Sequence, residues 1–302
     1  MNPLLSIVVA SKNQDQYIPT LISSLQKQTF QDFEVIVVDS SSNDISPKLF
    51  RSYEKAKVIL EDMKADEASL HGFKFARGKY LMLATTSDYL YSIHWLELAV
   101  GTLEKDKNLS LVWSSGVGVN EDGQVINIWG ADFVRFNPPN RFNYLAYWFT
   151  NYYLPELNFV VHKKVFQDCI NITPPELEFI NLDFLYSFFF SFARNGYLQM
   201  YVPGFAHAGR VHHNALAIEN YDRNRRFSSA VTNAQIKFLL KLVTKKNTFS
   251  FKDSSGKVIS SFDLADRIRL PFAILKFLTL NKIIHLLKRG QNLFLKIIYL
   301  HH

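Results

Sequence analysis

Two short polar clusters, Ser11-Lys12-Asn13 and Asp39-Ser40-Ser41-Ser42, each follow an apolar run, at Leu4 to Ala10 and at Phe33 to Val38. Hydroxyls, an amide and a carboxylate in such places bind ligands, because open α/β sheets take theirs outside the carboxyl ends of the strands. Three further groups carry chemistry: Asp88, Asp183 with Glu176 and Glu178 close before it, and Arg210 among His207, His212 and His213. A guanidinium pairs with phosphate bidentately. Three histidines within seven residues raise a zinc site, but the spacing is irregular and the only cysteine, Cys169, lies far away. The turn Ala10 to Asp15 has no glycine, so neither G-x-G-x-x-G nor G-x-x-x-x-G-K-[ST] is present, which disfavours a classical NAD or FAD site and a P-loop ATPase.

The elements that must position these groups begin with a strand, helix and strand. Both apolar runs are nearly continuous, as in a parallel sheet buried on both faces. Between them Ile18, Leu21, Ile22 and Leu25 recur at helical spacing, with Pro19 tolerable in a first turn and Gln26 to Thr29 closing the helix. The chain of 302 residues is 48% hydrophobic, enough for one large α/β domain with an appendage. Its many Phe and Tyr residues fit an aromatic core or sugar-stacking surfaces. A single cysteine excludes an intrachain disulfide and fits a reducing compartment. No basic n-region precedes Leu4, so a signal peptide is not expected and a cytoplasmic location is.

Beyond the first unit, Ser6 to Asn13, Ser24 to Thr29 and Phe33 to Asp44 resemble the corresponding segments of family 2 glycosyltransferases. The resemblance implies the GT-A fold: an α/β architecture whose nucleotide-binding sheet is mixed and mostly parallel, flanked by helices. It implies that Ala10, Ser11, Asn13, Asp39, Ser41 and Glu67 line the nucleotide of a UDP- or GDP-linked sugar donor. Asp39 would accept a hydrogen bond from the base. Phe73 to Leu83 is similar to the family's helix, Ala-x-Gly turn and strand, after which an acidic D-x-D normally holds Mn2+ or Mg2+ against the diphosphate. Here Thr85 and Ser87 stand at the two acidic positions and Asp88 follows. Asp88 could hold metal with His212 and phosphate oxygens, basic residues could replace the metal, or catalysis could be lost. A plainer role for Asp88 is as a turn residue or N-cap before the helix containing Trp95, Leu96 and Leu98.

Asn158 to Phe166 resembles the family's strand and helix ahead of the acceptor region, without the usual G-G-F-D. Glu176 to Asp183 resembles its acidic motif at a helix start, with the helix ending at a Gly196 cap. Sugar transfer with inversion needs one carboxylate to take the acceptor hydroxyl's proton. Asp183 is the choice for that base, with Glu178 or Glu176 as alternatives should Asp183 serve as an N-cap. Phe188, Phe189, Phe190 and Phe192 read as a buried helix. His207 to Leu216 is similar to the family's R-x-H-x-x-x-L loop, which brings Arg210 and His212 to the metal or pyrophosphate; His207 and His213 are left as structural or exposed.

After Tyr221 the character changes. Ala234 to Val243 reads as a helix and Thr244 to Lys257 as a polar connection. From Arg267 to His302 there are seven Lys or Arg residues and no Asp or Glu, which equals the +7 of the whole chain. On a helix, Asn281, Lys282, His285, Lys288, Arg289, Asn292 and Lys296 fall within about 120°, with aliphatic residues elsewhere. This pattern fits an interfacial helix on anionic lipid, peripheral contact through residues 270–300, or else a helix packed on the domain or a partner. Nucleic acid is not expected, since no recognised motif appears and the basic residues lie among aliphatics.

The sequence therefore predicts a domain at 1–221 and a helical, basic extension at 222–302. The resemblance implies an inverting glycosyltransferase acting on a glycan or lipid-linked acceptor. A degenerate member that binds nucleotide-sugar or glycan as a scaffold is the non-enzymatic alternative.

Overall fold

A computed structural model describes residues 2–129, 157–170, 184–211, 236–238, 240–242, 244, 249–272 and 275. The expected strand–helix–strand opens the chain as β1 (Leu5–Ser11), α1 (Ile18–Gln26) and β2 (Phe33–Asp39). There follow α2 (Ser46–Arg51), β3 (Ala56–Leu60), α3 (Ala65–Phe73), β4 (Tyr80–Thr85), β5 (Tyr89–Leu90), α4 (Trp95–Lys105), β6 (Leu109–Val119) and β7 (Val125–Trp129). Then come β8 (Phe159–His162), α5 (Lys163–Ile170), α6 (Phe184–Arg194) and β9 (Leu198–Arg210). The hairpin β10 (Ser250–Lys252) and β11 (Val258–Ser261) forms a separate small sheet.

The main sheet has the order β3-β2-β1-β4-β8-β6-β9-β5, with β7 on β6. Pairings β3–β2, β2–β1, β1–β4 and β6–β9 are parallel. β8 is antiparallel to both β4 and β6, β5 to β9 and β7 to β6, so most strands point one way and only β5, β7 and β8 oppose them. The α/β fold is mixed and mostly parallel, flanked by helices, as the sequence predicts.

Alternation along the strands explains the two-sided core. Val8, Ile36, Leu81 and Leu83 face one layer, while Leu5, Ile7, Val9, Val35, Val37, Met82 and Ala84 face the other. With side chains of period two, a strand buried on both faces is apolar at nearly every position, and the exceptions Ser6 and Glu34 satisfy each other, Ser6 Oγ donating to Glu34 Oε1 at 2.8 Å. Helices α1 and α4 cover the second layer through Ile18, Leu21, Leu25, Trp95, Leu96 and Leu103. The first layer is covered by α5 and α6, where Phe188, Phe189, Phe190 and Phe192 are buried as expected.

Phe238, Leu242, Phe251, Phe262 and Leu270 join that same aromatic layer. The segment read as a polar connection, Thr244 to Lys257, instead contributes β10 and part of its turn. Its lone apolar residues Phe249 and Phe251 pack edge-on against Phe262 and one another, which the polar composition around them conceals. The docking point is Gly196. Helix α6 ends in a Schellman turn, with Gly196 N–H on Ala193 O (3.0 Å), Tyr197 N–H on Phe192 O (3.3 Å) and Gly196 at φ 75°. Lys252 N–H then reaches Gly196 O (2.9 Å), and a Cβ at residue 196 would stand 2.2 Å from Ser250 O.

Gly196→Ala therefore meets both a left-handed backbone and a backbone clash. Urea unfolding should show a loss of about 2 kcal/mol or more, while Gly101→Ala, in open space on α4, should be neutral or stabilising by up to about 1 kcal/mol. Equal effects of the two changes would contradict this view of the α6–hairpin junction.

Candidate functional site

The site is built at the carboxyl ends of β1, β2 and β4. Ser11 and Asp39 end adjacent strands in register, and Ser40 N–H donates to Ser11 O at 2.8 Å. Asp39 is buried, and its two oxygens accept from Ser42 N–H (2.9 Å) and Ser42 Oγ (2.8 Å). Each oxygen retains a further lone-pair direction for a ligand donor. Asn13 and Ser41 both adopt positive φ, 51° and 57°. Such backbone is uncommon without glycine, and it persists here because the two loops hold each other. Asn13 N–H donates to Ser42 Oγ (2.8 Å), and Asn43 N–H donates to Asn13 Oδ1 (2.8 Å). Asp44 and Ser46 take the next two amides, those of Asp15 (3.1 Å) and Gln14 (3.3 Å). The Ser11 hydroxyl is buried with no protein partner.

Ala10 lies between Val38 and Thr85 in register, and its carbonyl accepts from Thr86 Oγ1 (3.0 Å), tying the end of β4 to the same edge. Thr85, Ser87 and Asp88 follow. Asp88 Oδ1 accepts from Arg210 N–H (3.0 Å) and Ser87 Oγ (3.4 Å), and neither bond falls on Oδ2. Burial pushes the Asp88 carboxyl up to about 6, against the lowering pull of the Arg210 amide, the neighbouring Thr85 and Ser87 hydroxyls and the Arg210 charge. The alternative role of Asp88 as N-cap is not what is found: α4 begins after His94, with β5 between, and Asp88 instead fastens the end of β9.

Arg210 ends β9 and is the most elaborately held cation of the site. Its Nη1 donates to the carbonyls of Glu121 (2.7 Å) and Asn120 (3.3 Å), and its Nε donates to Ser87 O (3.4 Å). The guanidinium lies over Tyr17, at 5.2 Å from the ring centre, and Tyr89, at 5.8 Å. Tyr17 immediately precedes α1, so this contact sets the guanidinium beside the β1–α1 loop. Sequence reasoning did not single out Tyr17, Tyr89, Ser42 or Thr86. The signal for Ser42 and Thr86 was present, as hydroxyls in the polar strand ends, whereas Tyr89 meets Arg210 through the β5–β9 pairing and Tyr17 through the fold of the loop before α1.

Glu67 is exposed on the first turn of α3, where its Oε2 accepts Lys64 N–H (3.3 Å). His207 is fully buried, bonded through Nδ1 to Asn158 Oδ1, and burial holds its pKa near 3, so it stays neutral. Asp183, Glu176, Glu178, His212 and His213 lie outside the described residues, as does the 276–302 tail. Among the described residues no three of His, Cys, Asp and Glu gather as a metal site. Asp88 does suit a cation as one ligand, since a desolvated carboxylate with an oxygen unclaimed by those hydrogen bonds gains from positive charge.

The Glycosyl transferase family 2 model matches residues 6–170. A chondroitin synthase of Pasteurella multocida (strain Pm70) is 30% identical over 129 residues, 41% of this chain and 13% of the synthase, so the chain spans well under two thirds of that relative. In shape the chain is similar to S. aureus TarS 1-349, solved in complex with UDP-GlcNAc, with a TM-score of 0.59 at 16% identity over 91% of this chain and 72% of that one. The mannosyltransferase PcManGT from Pyrobaculum calidifontis, solved with GDP-Man and Mn2+, gives 0.52 at 13% identity over 82% and 77%. At these identities the likeness shows the fold, which is of GT-A type.

The pKa of Asp88 has a sign that stability measurements can read. Its folded value near 6 exceeds the ordinary 3.8, so protonation favours the folded state: the contribution is full below about pH 4 and is lost as pH rises through about 6. Urea midpoints of wild type and Asp88→Asn, compared at pH 4 and pH 7, should show the variant gaining relative to wild type at pH 7. An unchanged difference would place Asp88 in contact with water.

Proposed function

The chain belongs to glycosyl transferase family 2, and from that premise we propose that it transfers a sugar from a UDP- or GDP-linked donor to a glycan or lipid-linked acceptor, with inversion, in cell-surface polysaccharide or glycolipid synthesis. The observation that carries this reading is the strand-end lattice of Ser11, Asn13, Asp39 and Ser42, in which a buried carboxylate and an unpartnered buried hydroxyl meet at the mouth of a parallel sheet. The relatives support the class: one is a polysaccharide synthase, and two structural neighbours were solved with UDP-GlcNAc and GDP-Man.

In this reading Ala10, Ser11, Asn13, Asp39 and Ser41 hold the nucleoside, and Arg210, already aimed by three carbonyls, receives phosphate oxygens. Glu67 remains at the rim of the donor set. Asp88 and His212 would hold a divalent ion, Mn2+ or Mg2+. When bound, that ion would neutralise charge developing on the leaving diphosphate. Asp183 takes the proton of the acceptor hydroxyl while its oxygen attacks the anomeric carbon. The bond from that carbon to the diphosphate oxygen breaks, and the nucleoside diphosphate leaves from the opposite face. Residues 1–221 carry this chemistry and 222–302 form the extension, with the whole at the cytoplasmic side of the membrane. Among the described residues no helix is long and apolar enough to cross a membrane.

Thr85 and Ser87 in place of two acids favour one second reading, a scaffold that binds donor without turnover. A transfer assay on the full chain separates the two. The transferase reading expects Asp183→Asn to keep donor affinity within about twofold and to lower kcat by 10²–10⁴-fold, roughly the contribution of a general base. Donor binding by wild type without any turnover, across acceptors of both classes, would establish the scaffold.

A further inference from the structure

The last described helix presents an apolar stripe away from the protein. Asp263 and Asp266 start it with a reciprocal cap, Asp266 N–H on Asp263 Oδ1 (2.8 Å) and Asp263 N–H on Asp266 Oδ2 (3.2 Å). Asp266 and Leu270 are 1% and 0% exposed and face the core, whereas Leu264, Ile268, Phe272 and Leu275 are 71%, 59%, 69% and 62% exposed. At about 100° per residue Leu264, Ile268 and Phe272 span an arc of about 80°, centred opposite Asp266 and Leu270, with the exposed Arg269 on one flank and the half-buried Arg267 on the other. The helical residues 236–238 and 240–242 repeat the arrangement: Ile236 and Leu240 are exposed beside Lys237 and Lys241, while Phe238 and Leu242 are buried.

A solvent-facing stripe of three large apolar side chains costs hydration and needs a reason. We propose that the outward face of residues 264–272 docks on an anionic lipid surface. Charge selects this occupant. After Asp266 the chain has seven Lys or Arg residues and no acid up to its end. An apolar strip with the exposed Arg269 at its flank sinks into the acyl boundary while the guanidinium meets phosphate headgroups. A second copy of the same face would bring cations against cations, and no acid follows Asp266 in the chain to offset them, which like-charge repulsion opposes. The inference does not rest on the transferase reading; it places the protein where a lipid-linked acceptor would lie.

Cosedimentation of the full chain with phosphatidylcholine vesicles, with and without phosphatidylglycerol, tests it. Binding should require phosphatidylglycerol and fall with added salt. The double variant Ile268→Asp/Phe272→Asp should weaken it by about tenfold or more, and Arg269→Glu should weaken it less. Circular dichroism of each variant checks folding, and the lipid-composition arm needs no variant at all. Equal binding to both vesicle types, or none to either, would overturn the proposal. So would self-association without lipid, seen by sedimentation velocity and removed by the double variant, since the stripe would then be covered by a second copy.

Discussion

Burial of β1, β2 and β4 on both faces is the constraint from which the rest of the molecule follows. Inside those strands a polar side chain would lose water without a partner, at a cost of roughly 1–3 kcal/mol, so hydrogen-bonding groups collect where the strands end. The chain leaves the sheet there at Ser11, Asp39 and Thr85. Because the three strands are parallel and in register, all three exits open on one edge.

What sits at the edge is held by short polar bonds between loops distant in sequence. Asn13 and Ser41 are kept in left-handed backbone by reciprocal contacts of the two loops around Ser42 and Asn43. Asp88 and Arg210, 122 residues apart, are joined through a backbone amide, and this bond closes β5 onto β9. Arg210 thereby arrives beside Tyr17 with three of its donors already spent on carbonyls. Its position is fixed before any ligand binds, which lowers the ordering cost of recognising an anion.

Much of this was legible in the sequence. Continuous apolar runs announced β1 and β2, helical spacing announced α1, and the Phe188 to Phe192 cluster announced the buried face of α6, because each pattern is local. The hairpin β10–β11 was not legible, since Phe249 and Phe251 act through partners on a different segment, and a polar surrounding hid two apolar residues. The contacts of Arg210 with Tyr17 and Tyr89 were equally invisible, one made by the loop before α1 and the other by a pairing between a two-residue strand and β9. Asp88 shows the middle case: the residue was singled out, but its bond to the Arg210 amide depends on tertiary structure that spacing does not encode.

The central claim is that the strand-end edge binds a nucleotide-linked sugar through Asp39, and calorimetric titration tests it most directly. UDP, GDP and their common sugar conjugates are added to the full chain with Mn2+, with Mg2+ and with chelator, and the titration is repeated for Asp39→Ala. The account predicts that one nucleotide series binds and that the variant loses that binding by at least about tenfold, the equivalent of a charge-assisted hydrogen bond. Binding of neither series, or binding that Asp39→Ala leaves unchanged, would contradict it.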